Sequence, residues 1–411
     1  MKIGFFTDSY LPRIDGVVVS LETCARALRA RGHEVYIVAP SHPHHKEKDP
    51  FVYRLASIKF PSPSGTPEAR WVLQIPEKKL LDVVRIDFDI IHGHSTFSGI
   101  TLLGIEIAKL KNIPHIWTYH TFWNRYTHYI FNGKIVTPKM VEVVSKFLGN
   151  MSDYLIAPTD GVKKELISYG VKQPIEVLPN GIDVSTYQQG KKGFLRKALH
   201  ITRNKKILLS VGRLGKEKSM DFLIKSFKHI VEQEKNTVFV LVGDGPDKNK
   251  LKRLVTRLEL ESSVFFMGTV NHSDMPHVYA DADLFLFASQ TETQGLVLLE
   301  ALASGVPVVA VSDKAFDAVI FSGENGFLVV KDPKIFAEKA ILLLRDKKLY
   351  QRFFQSGQEQ VKKFSVENTV KQVEKLYGQV MKEKGEKEKN YLHVKSINQI
   401  KKFFVKASNT L

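Results

Sequence analysis

Short apolar runs alternate along the chain with longer stretches in which apolar positions return every three or four residues. The run 3–6 opens the chain, and Asp15-Gly16-Val17 follows in a loop. Leu21, Cys24, Ala25 and Leu28 then share a helix face, Arg31-Gly32-His33 stops that helix, and 34–38 reads as a strand. This is a βαβ unit. Further strands are predicted at 90–92, 115–118 and 154–157, each followed by a helical pattern. After Pro179-Asn180-Gly181-Ile182-Asp183 comes a polar stretch, 188–204, and a second set begins at 206–212. Its strands continue at 238–242, 264–267, 284–287, 308–311 and 326–329. Strands apolar throughout belong to parallel sheets with helices on both faces. The pattern predicts an α/β chain of two doubly wound domains, 1–185 and 186–375, with a basic helix or tail at 376–411. Folds of this kind bind ligands outside the carboxyl ends of their strands, which places the expected site in a cleft between the two sheets.

Composition supports two cores. The chain has 411 residues, 43% hydrophobic, with 17 prolines and 26 glycines, so it is neither low-complexity nor largely disordered. Cys24 is the single cysteine, which excludes an intramolecular disulfide and a cysteine-based metal site, and fits a reducing cytoplasm. The sequence turns polar at Thr7 and Asp8, too early for a signal peptide, and no run approaches the length of a membrane span. The expectation is a cytoplasmic protein, soluble or peripheral at the inner face of the cell membrane. The net charge of +17 adds an anionic partner to the picture, and residues 382–411 are the most basic part per residue.

Ser289-Gln290-Thr291-Glu292-Thr293-Gln294-Gly295-Leu296-Val297-Leu298-Leu299-Glu300-Ala301 sets two carboxylates eight positions apart at a strand-to-helix junction. Gly295 admits close backbone approach, and the free N–H groups of a helix start suit phosphate or hydroxyl oxygens. On their own, Glu292 could merely favour the helix dipole and Glu300 be an ordinary ion-paired side chain. The following Ala303-Ser304-Gly305-Val306-Pro307-Val308 narrows the choice. This stretch resembles the E-x7-E and A-x-A-x-G-x-P-V motifs of the retaining glycosyltransferases of family 4, and the resemblance extends from Met1 to about Lys375. It implies the GT-B architecture, in which two Rossmann-like domains face each other across a cleft. It also implies that Glu292 lies by the donor sugar, with Gln294, Gly295 and Leu296 beside it, and that Glu300 meets the nucleotide ribose.

Other segments agree with that resemblance. Gly212-Arg213-Leu214-Gly215-Lys216-Glu217-Lys218-Ser219 looks like the family's G-R-L-x-x-E-K-G, with serine in the last place, and implies that Arg213 and Lys218 hold the donor diphosphate. Fixed cations there stabilise the charge that develops on a departing phosphate. Gly16, Gly243 in Leu241-Val242-Gly243-Asp244-Gly245-Pro246, and Val270 after Gly268-Thr269 match further donor-facing segments. His94 aligns with the family's active-site histidine, and His120 ends the next strand and is expected in the same cleft. His42, His44 and His45 read as solvated. Asp87-Phe88-Asp89 and Asp281-Ala282-Asp283 resemble metal-binding D-x-D strings, but each precedes an apolar strand and reads as a helix-end or strand-entry pair. The expectation is therefore a metal-independent hexosyltransferase without a cofactor, acting by same-face substitution, with His94, Glu292, Arg213 and Lys218 as its catalytic residues.

The acceptor is sought in the N-terminal half. Phe122, Trp123, Tyr126, Tyr129 and Ile130 lie at helical spacing. Thr137-Pro138 then starts a second pattern through Met140, Val143, Val144, Phe147 and Leu148, flanked by Lys139 and Lys146. Such a basic amphipathic helix suits an anionic membrane surface, with His120, Trp123, Lys139 and Phe147 on the acceptor or membrane side; packing onto its own sheet is the alternative. The proline-rich 61–76 stretch with Trp71 is a further candidate contact. After a charged linker at 382–389, Val394, Ile397, Ile400 and Phe404 share a helix face. The Thr-Gln-Gly form of the 293–295 motif looks like the diacylglycerol glucosyltransferases of the family, which implies UDP-glucose as donor and diacylglycerol as lipid acceptor. Phosphatidylinositol or a cell-envelope polysaccharide is the alternative acceptor. A non-catalytic nucleotide-sugar binding protein is the reading from another class. No G-x-G-x-x-G follows the first strand, against a nicotinamide-dependent oxidoreductase, and no motif supports nucleic-acid binding.

Overall fold

A computed structural model describes residues 1–43, 45–59, 70–72, 77–94, 99–125 and 137–387. His44, most of the 61–76 stretch, Tyr126, Tyr129, Ile130 and the apolar positions from Val394 to Phe404 lie outside these residues. The chain forms two compact units, one of Met1–Leu178 with Thr369–Leu411 and one of Pro179–Asn368.

The first unit contains β1 (Lys2–Phe6), β2 (Glu34–Pro40), β3 (Val52–Leu55), β4 (Ile58–Lys59), β5 (Arg70–Trp71), β6 (Ile90–Gly93), β7 (His115–Thr118), β8 (Tyr154–Ala157) and β9 (Ile175–Val177). Seven of them form one parallel sheet in the order β3-β2-β1-β6-β7-β8-β9, while β4 and β5 pair antiparallel apart from it. The central strands β6 and β7 are buried along their whole length, as a sheet covered on both faces requires. Helix Gly16–Ala30 crosses from β1 to β2, its start capped by the Asp15 carboxylate, which accepts from Val18 N at 3.0 Å.

The long helix Val366–Lys387 also belongs largely to this unit. It buries Val370, Val373, Leu376, Tyr377 and Val380, a helical spacing that presents one apolar face. Polar bonds fasten it along its length: Arg31 Nε to Glu374 at 2.7 Å, His92 Nδ1 to the Tyr377 hydroxyl at 2.6 Å, and Lys384 Nζ to Asp153 at 2.9 Å. The expected linker at 382–389 is therefore corrected over 382–387, which is helix, because Lys384 has a carboxylate to reach.

The second unit contains β10 (Lys206–Val211), β11 (Thr237–Val242), β12 (Val264–Gly268), β13 (Leu284–Phe287), β14 (Val308–Val311) and β15 (Gly326–Val329), in the order β12-β11-β10-β13-β14-β15 and all parallel. One core cluster includes Leu209, Val240, Phe285, Phe287 and Leu298; a second includes Leu208, Phe227, Phe239, Leu286 and Phe336. The polar 188–204 stretch is not plain connector, since it holds helix Phe194–Ala198 next to the short helix Val184–Gln188. The buried Asp281 carboxylate accepts from Gly193 N at 2.6 Å and Leu195 N at 2.7 Å and so pins that segment.

Candidate active site

In each unit the strand order reverses beside a central strand, and loops at the carboxyl ends of the strands flanking such a reversal are where doubly wound sheets hold ligands. In the second unit these are the loops after β10 and β13. The first runs through Gly212, the half-buried Arg213 and a turn at Lys216–Lys218 into helix Met220–Gln233. The second carries Glu292 and ends at Gly295, whose φ of +80° starts helix Leu296–Ala303. The two loops meet where Lys218 Nζ donates to Glu292 Oε1, with the side chains only 16% and 18% exposed. Burial works to raise the Glu292 carboxyl, but the Lys218 charge and hydrogen bond outweigh it and hold the group below the usual carboxylate range. Glu292 is thus an ionised, partly buried anchor.

Lys331, which sequence reasoning missed, ties the same loops: its Nζ donates to Ser219 Oγ at 2.8 Å and to Gln290 Oε1 at 3.0 Å. Ser219 keeps a left-handed φ of +50°, the conformation that a glycine in this place would adopt without cost, and spends its hydroxyl on Lys331.

Glu300 sits buried on helix Leu296–Ala303, and its Oε2 accepts from the Tyr279 hydroxyl at 2.7 Å. Burial pushes its carboxyl above the usual range, with Tyr279 acting in the other direction. The Tyr187 ring lies edge-on to Tyr279 at 5.8 Å. Gln294, predicted beside the donor, turns its amide to Asn180: Oε1 accepts from Asn180 N at 2.7 Å and Nδ2 at 2.9 Å, and Nε2 donates to Asn180 O at 3.1 Å. Gly243 is dictated by backbone packing, for at its φ of +130° a Cβ would lie 2.0 Å from the Gly212 carbonyl oxygen. Val270 and Leu296 rest half-buried against the core.

In the first unit the corresponding loops follow β1 and β6. Gly16 is the exposed first residue of its helix after the Asp15 cap, and His94 follows β6 directly. His94 is buried, its backbone N–H bonded to Phe6 O at 2.8 Å and its Nδ1 3.1 Å from His120 Nε2. Its Nε2 is buried and has no hydrogen-bond partner among the described residues. Burial, then His92 and His120, drive the His94 imidazole well below its ordinary value; burial brings His120 down to about 4 although Asp15 opposes it. Both rings are neutral near pH 7, so one must donate to the other, and that choice decides whether His94 Nε2 offers a lone pair or a proton to a ligand. His92, its ring centroid 4.0 Å from that of His94 and tilted by 37°, is held by Tyr377 and by Thr118 Oγ1 at 2.6 Å.

Phe122 is buried, and Trp123 opens a single turn, Trp123–Arg125, rather than the start of a long described helix. Helix Pro138–Met151 begins as predicted, with Thr137 capping Met140 N. Its predicted apolar stripe divides into two faces: Val141, Ser145, Leu148 and Gly149 are buried, whereas Met140, Val143 and Phe147 are 49%, 57% and 56% exposed. Lys139 stands exposed beside them, paired with Glu142 at 2.7 Å. Three of the four D-x-D carboxylates accept from backbone N–H groups, Asp281 from Gly193 N at 2.6 Å, Asp283 from Ile207 N at 2.8 Å and Asp89 from Lys2 N at 2.7 Å, while the exposed Asp87 pairs with Lys111 at 3.3 Å. Among the described residues no three metal-ligating side chains gather, and no helix is long and apolar enough to cross a membrane.

Known proteins carry the same plan. A profile for "Glycosyltransferase Family 4" matches residues 14–186, and one for "Glycosyl transferases group 1" matches 191–360. The alpha-monoglucosyldiacylglycerol synthase of Streptococcus pneumoniae is 35% identical over 79% of this chain and 76% of its own, and that of Acholeplasma laidlawii 30% identical over 92% and 96%. The phosphatidyl-myo-inositol mannosyltransferase of Mycobacterium tuberculosis is 26% identical over 92% and 96%. In fold, the chain matches the crystal structure of Anabaena HepE in complex with UDP and glucose at a TM-score of 0.73, with 20% identity over 92% of this chain and 100% of that one. WaaG, a glycosyltransferase of lipopolysaccharide biosynthesis, matches at 0.69 with 18% identity over 91% and 99%. By its two domains and by these relatives, the chain belongs to the glycosyltransferases of family 4 and has the GT-B fold.

Proposed function

We propose that this protein transfers an α-glucosyl unit from UDP-glucose to diacylglycerol, with retention of configuration and without a metal ion, while resting on an anionic membrane surface. The observation that carries the reading is the partly buried Lys218–Glu292 pair at the strand ends of the second unit, in a chain whose 35% and 30% identical relatives are alpha-monoglucosyldiacylglycerol synthases. UDP is the nucleotide named for HepE.

In this reading Arg213 and Lys218 neutralise the diphosphate as the glycosidic bond breaks, a stabilisation that preorganised charge supplies most effectively in a partly buried site. Glu292 stays ionised and orients Lys218 and the sugar. The acceptor hydroxyl attacks the face that the phosphate leaves, its proton passing to that phosphate, so positioning carries the catalysis. Glu300, with Tyr279, receives the ribose. Gly16, Gly243, Gly295, Leu296 and Val270 shape the donor site, and His94 bonds a donor-sugar oxygen through Nε2. Asp89, Asp281 and Asp283 already accept from backbone N–H groups, which supports a metal-independent reaction. Met140, Val143 and Phe147 would enter the headgroup region with Lys139 and Lys146 beside them, and Trp123 and His120 stand on the acceptor side. Domain limits at 1–185, 186–375 and 376–411 assign acceptor binding to the first and donor binding to the second.

The test is binding and transfer with a panel of nucleotide sugars, using vesicles with and without diacylglycerol and anionic lipid. UDP-glucose is expected to bind and to transfer only when diacylglycerol is present. Binding without transfer to any lipid would favour a sugar-nucleotide binding protein.

A further inference from the structure

The environment of Gln294 defines a task beyond closeness to the donor. Its side chain belongs to a residue 2% exposed, and it uses three of its four amide hydrogen-bonding positions on one residue 114 positions away in sequence. The orientation of the amide is unambiguous, because the oxygen meets a backbone N–H and the nitrogen meets the backbone carbonyl of the same Asn180. Reversing the amide would oppose like groups at both places. Gln294 therefore reads Asn180 much as a neighbouring strand would, and Asn180 Nδ2 adds the third bond.

The placement of this latch matters. Glu292 lies two residues before Gln294, in a segment without regular structure between β13 and helix Leu296–Ala303. Lys218 holds the Glu292 side chain from one direction, and Gln294 fixes the backbone just beyond it. A carboxylate that must stand beside a sugar depends on such support, since displacement by about 1 Å can cost about a hundredfold in rate. We propose that Gln294 and Asn180 form a positioning latch that sets the Glu292 loop for transfer, and that Gln294 makes no donor contact of its own. The inference rests on the glycosyltransferase reading of this site.

The experiment measures kcat and KM for UDP-glucose with the full-length protein on diacylglycerol vesicles, comparing wild type with Gln294→Leu, Gln294→Glu, Asn180→Ala, Asn180→Asp and the doubles that combine Gln294→Leu with each Asn180 change. Gln294→Leu should lower kcat about tenfold or more while KM moves less than about threefold, the signature of lost positioning rather than lost binding. Asn180→Asp turns a carboxylate oxygen toward Gln294 Oε1, so it should cost more than Asn180→Ala. Both Asn180 effects should nearly vanish in the Gln294→Leu background, because the partner they act through is gone.

Gln294→Glu keeps two acceptor bonds but opposes the Asn180 carbonyl unless protonated, so its kcat relative to wild type should climb as pH is lowered. A packing role alone would leave that ratio flat. A KM effect without a kcat effect, Asn180 and Gln294 losses that simply multiply, or a flat Gln294→Glu ratio would each overturn the latch. A wild-type protein that does not transfer glucose would instead overturn the functional reading on which it rests.

Discussion

Replacing Lys218 by methionine removes the cation that holds Glu292 ionised and leaves a carboxylate in a site where burial alone pushes its pKa upward. Breaking a buried ion pair from one side costs about 3–5 kcal/mol, and because the two side chains keep some exposure the lower end, about 3 kcal/mol, applies. The pH dependence has a defined sign. In the wild type the folded Glu292 pKa is depressed, so its contribution is fully present above the ordinary carboxylate value and is lost as pH falls through the folded value. In Lys218→Met the folded pKa is raised, so the penalty is fully present above that raised value and is relieved as pH falls toward the ordinary one. The variant should therefore be more destabilised at about pH 7.5 than at about pH 5. Gln in place of Glu292 removes the charge, and Lys218→Met added to Glu292→Gln should cost little further. Hydrogen exchange over 206–233 and 284–303 reads this unit by itself, which a midpoint for the whole two-unit chain would not. Equal protection at both pH values, or additive losses in the double variant, would refute the account of the pair.

Gly243→Ala should fail to fold or lose more than about 4 kcal/mol, because its Cβ would meet the Gly212 carbonyl at 2.0 Å in a backbone conformation unsuited to a side chain; soluble yield and thermal unfolding check this. Serine at Met140, Val143 and Phe147 together should leave unfolding unchanged, since all three side chains are exposed, yet lower sedimentation with anionic vesicles about tenfold or more. Because His94 and His120 are held neutral, the rate of transfer should show no ionisation assignable to either near pH 6.5. Their depressed values make the first unit lose stability as pH drops below about 6.5, which unfolding of His120→Gln, less sensitive than the wild type, would reveal.

The parts of the fold legible in sequence are those encoded locally. Runs such as 207–210 and 284–287 are buried on both faces, and Thr137-Pro138 marks a helix start by capping chemistry that needs only neighbouring residues. The short edge strands β3 and β9 escaped because three or four residues, only one or two of them buried, carry little pattern. The helix Phe194–Ala198 looked like connector because its fastening comes from Asp281, more than eighty positions away. Glu292 and Lys218 were legible as motif members, but their direct pairing depends on the sheet bringing β10 beside β13. The same limit hid Tyr279 beside Glu300 and Asn180 beside Gln294. Spacing alone merged Met140, Val143, Phe147 and Leu148 into one stripe, whereas packing divided them between core and solvent.

The most direct test of the central claim is glucose incorporation into organic-phase product from radiolabelled UDP-glucose, on vesicles with and without diacylglycerol, by the wild type and by Glu292→Ala and Lys218→Ala proteins shown to be folded. Diacylglycerol-dependent label in the wild type, reduced about a hundredfold or more in both variants, is the predicted result. Label that persists undiminished in either variant, or a wild type that binds UDP-glucose yet labels no lipid, would contradict it.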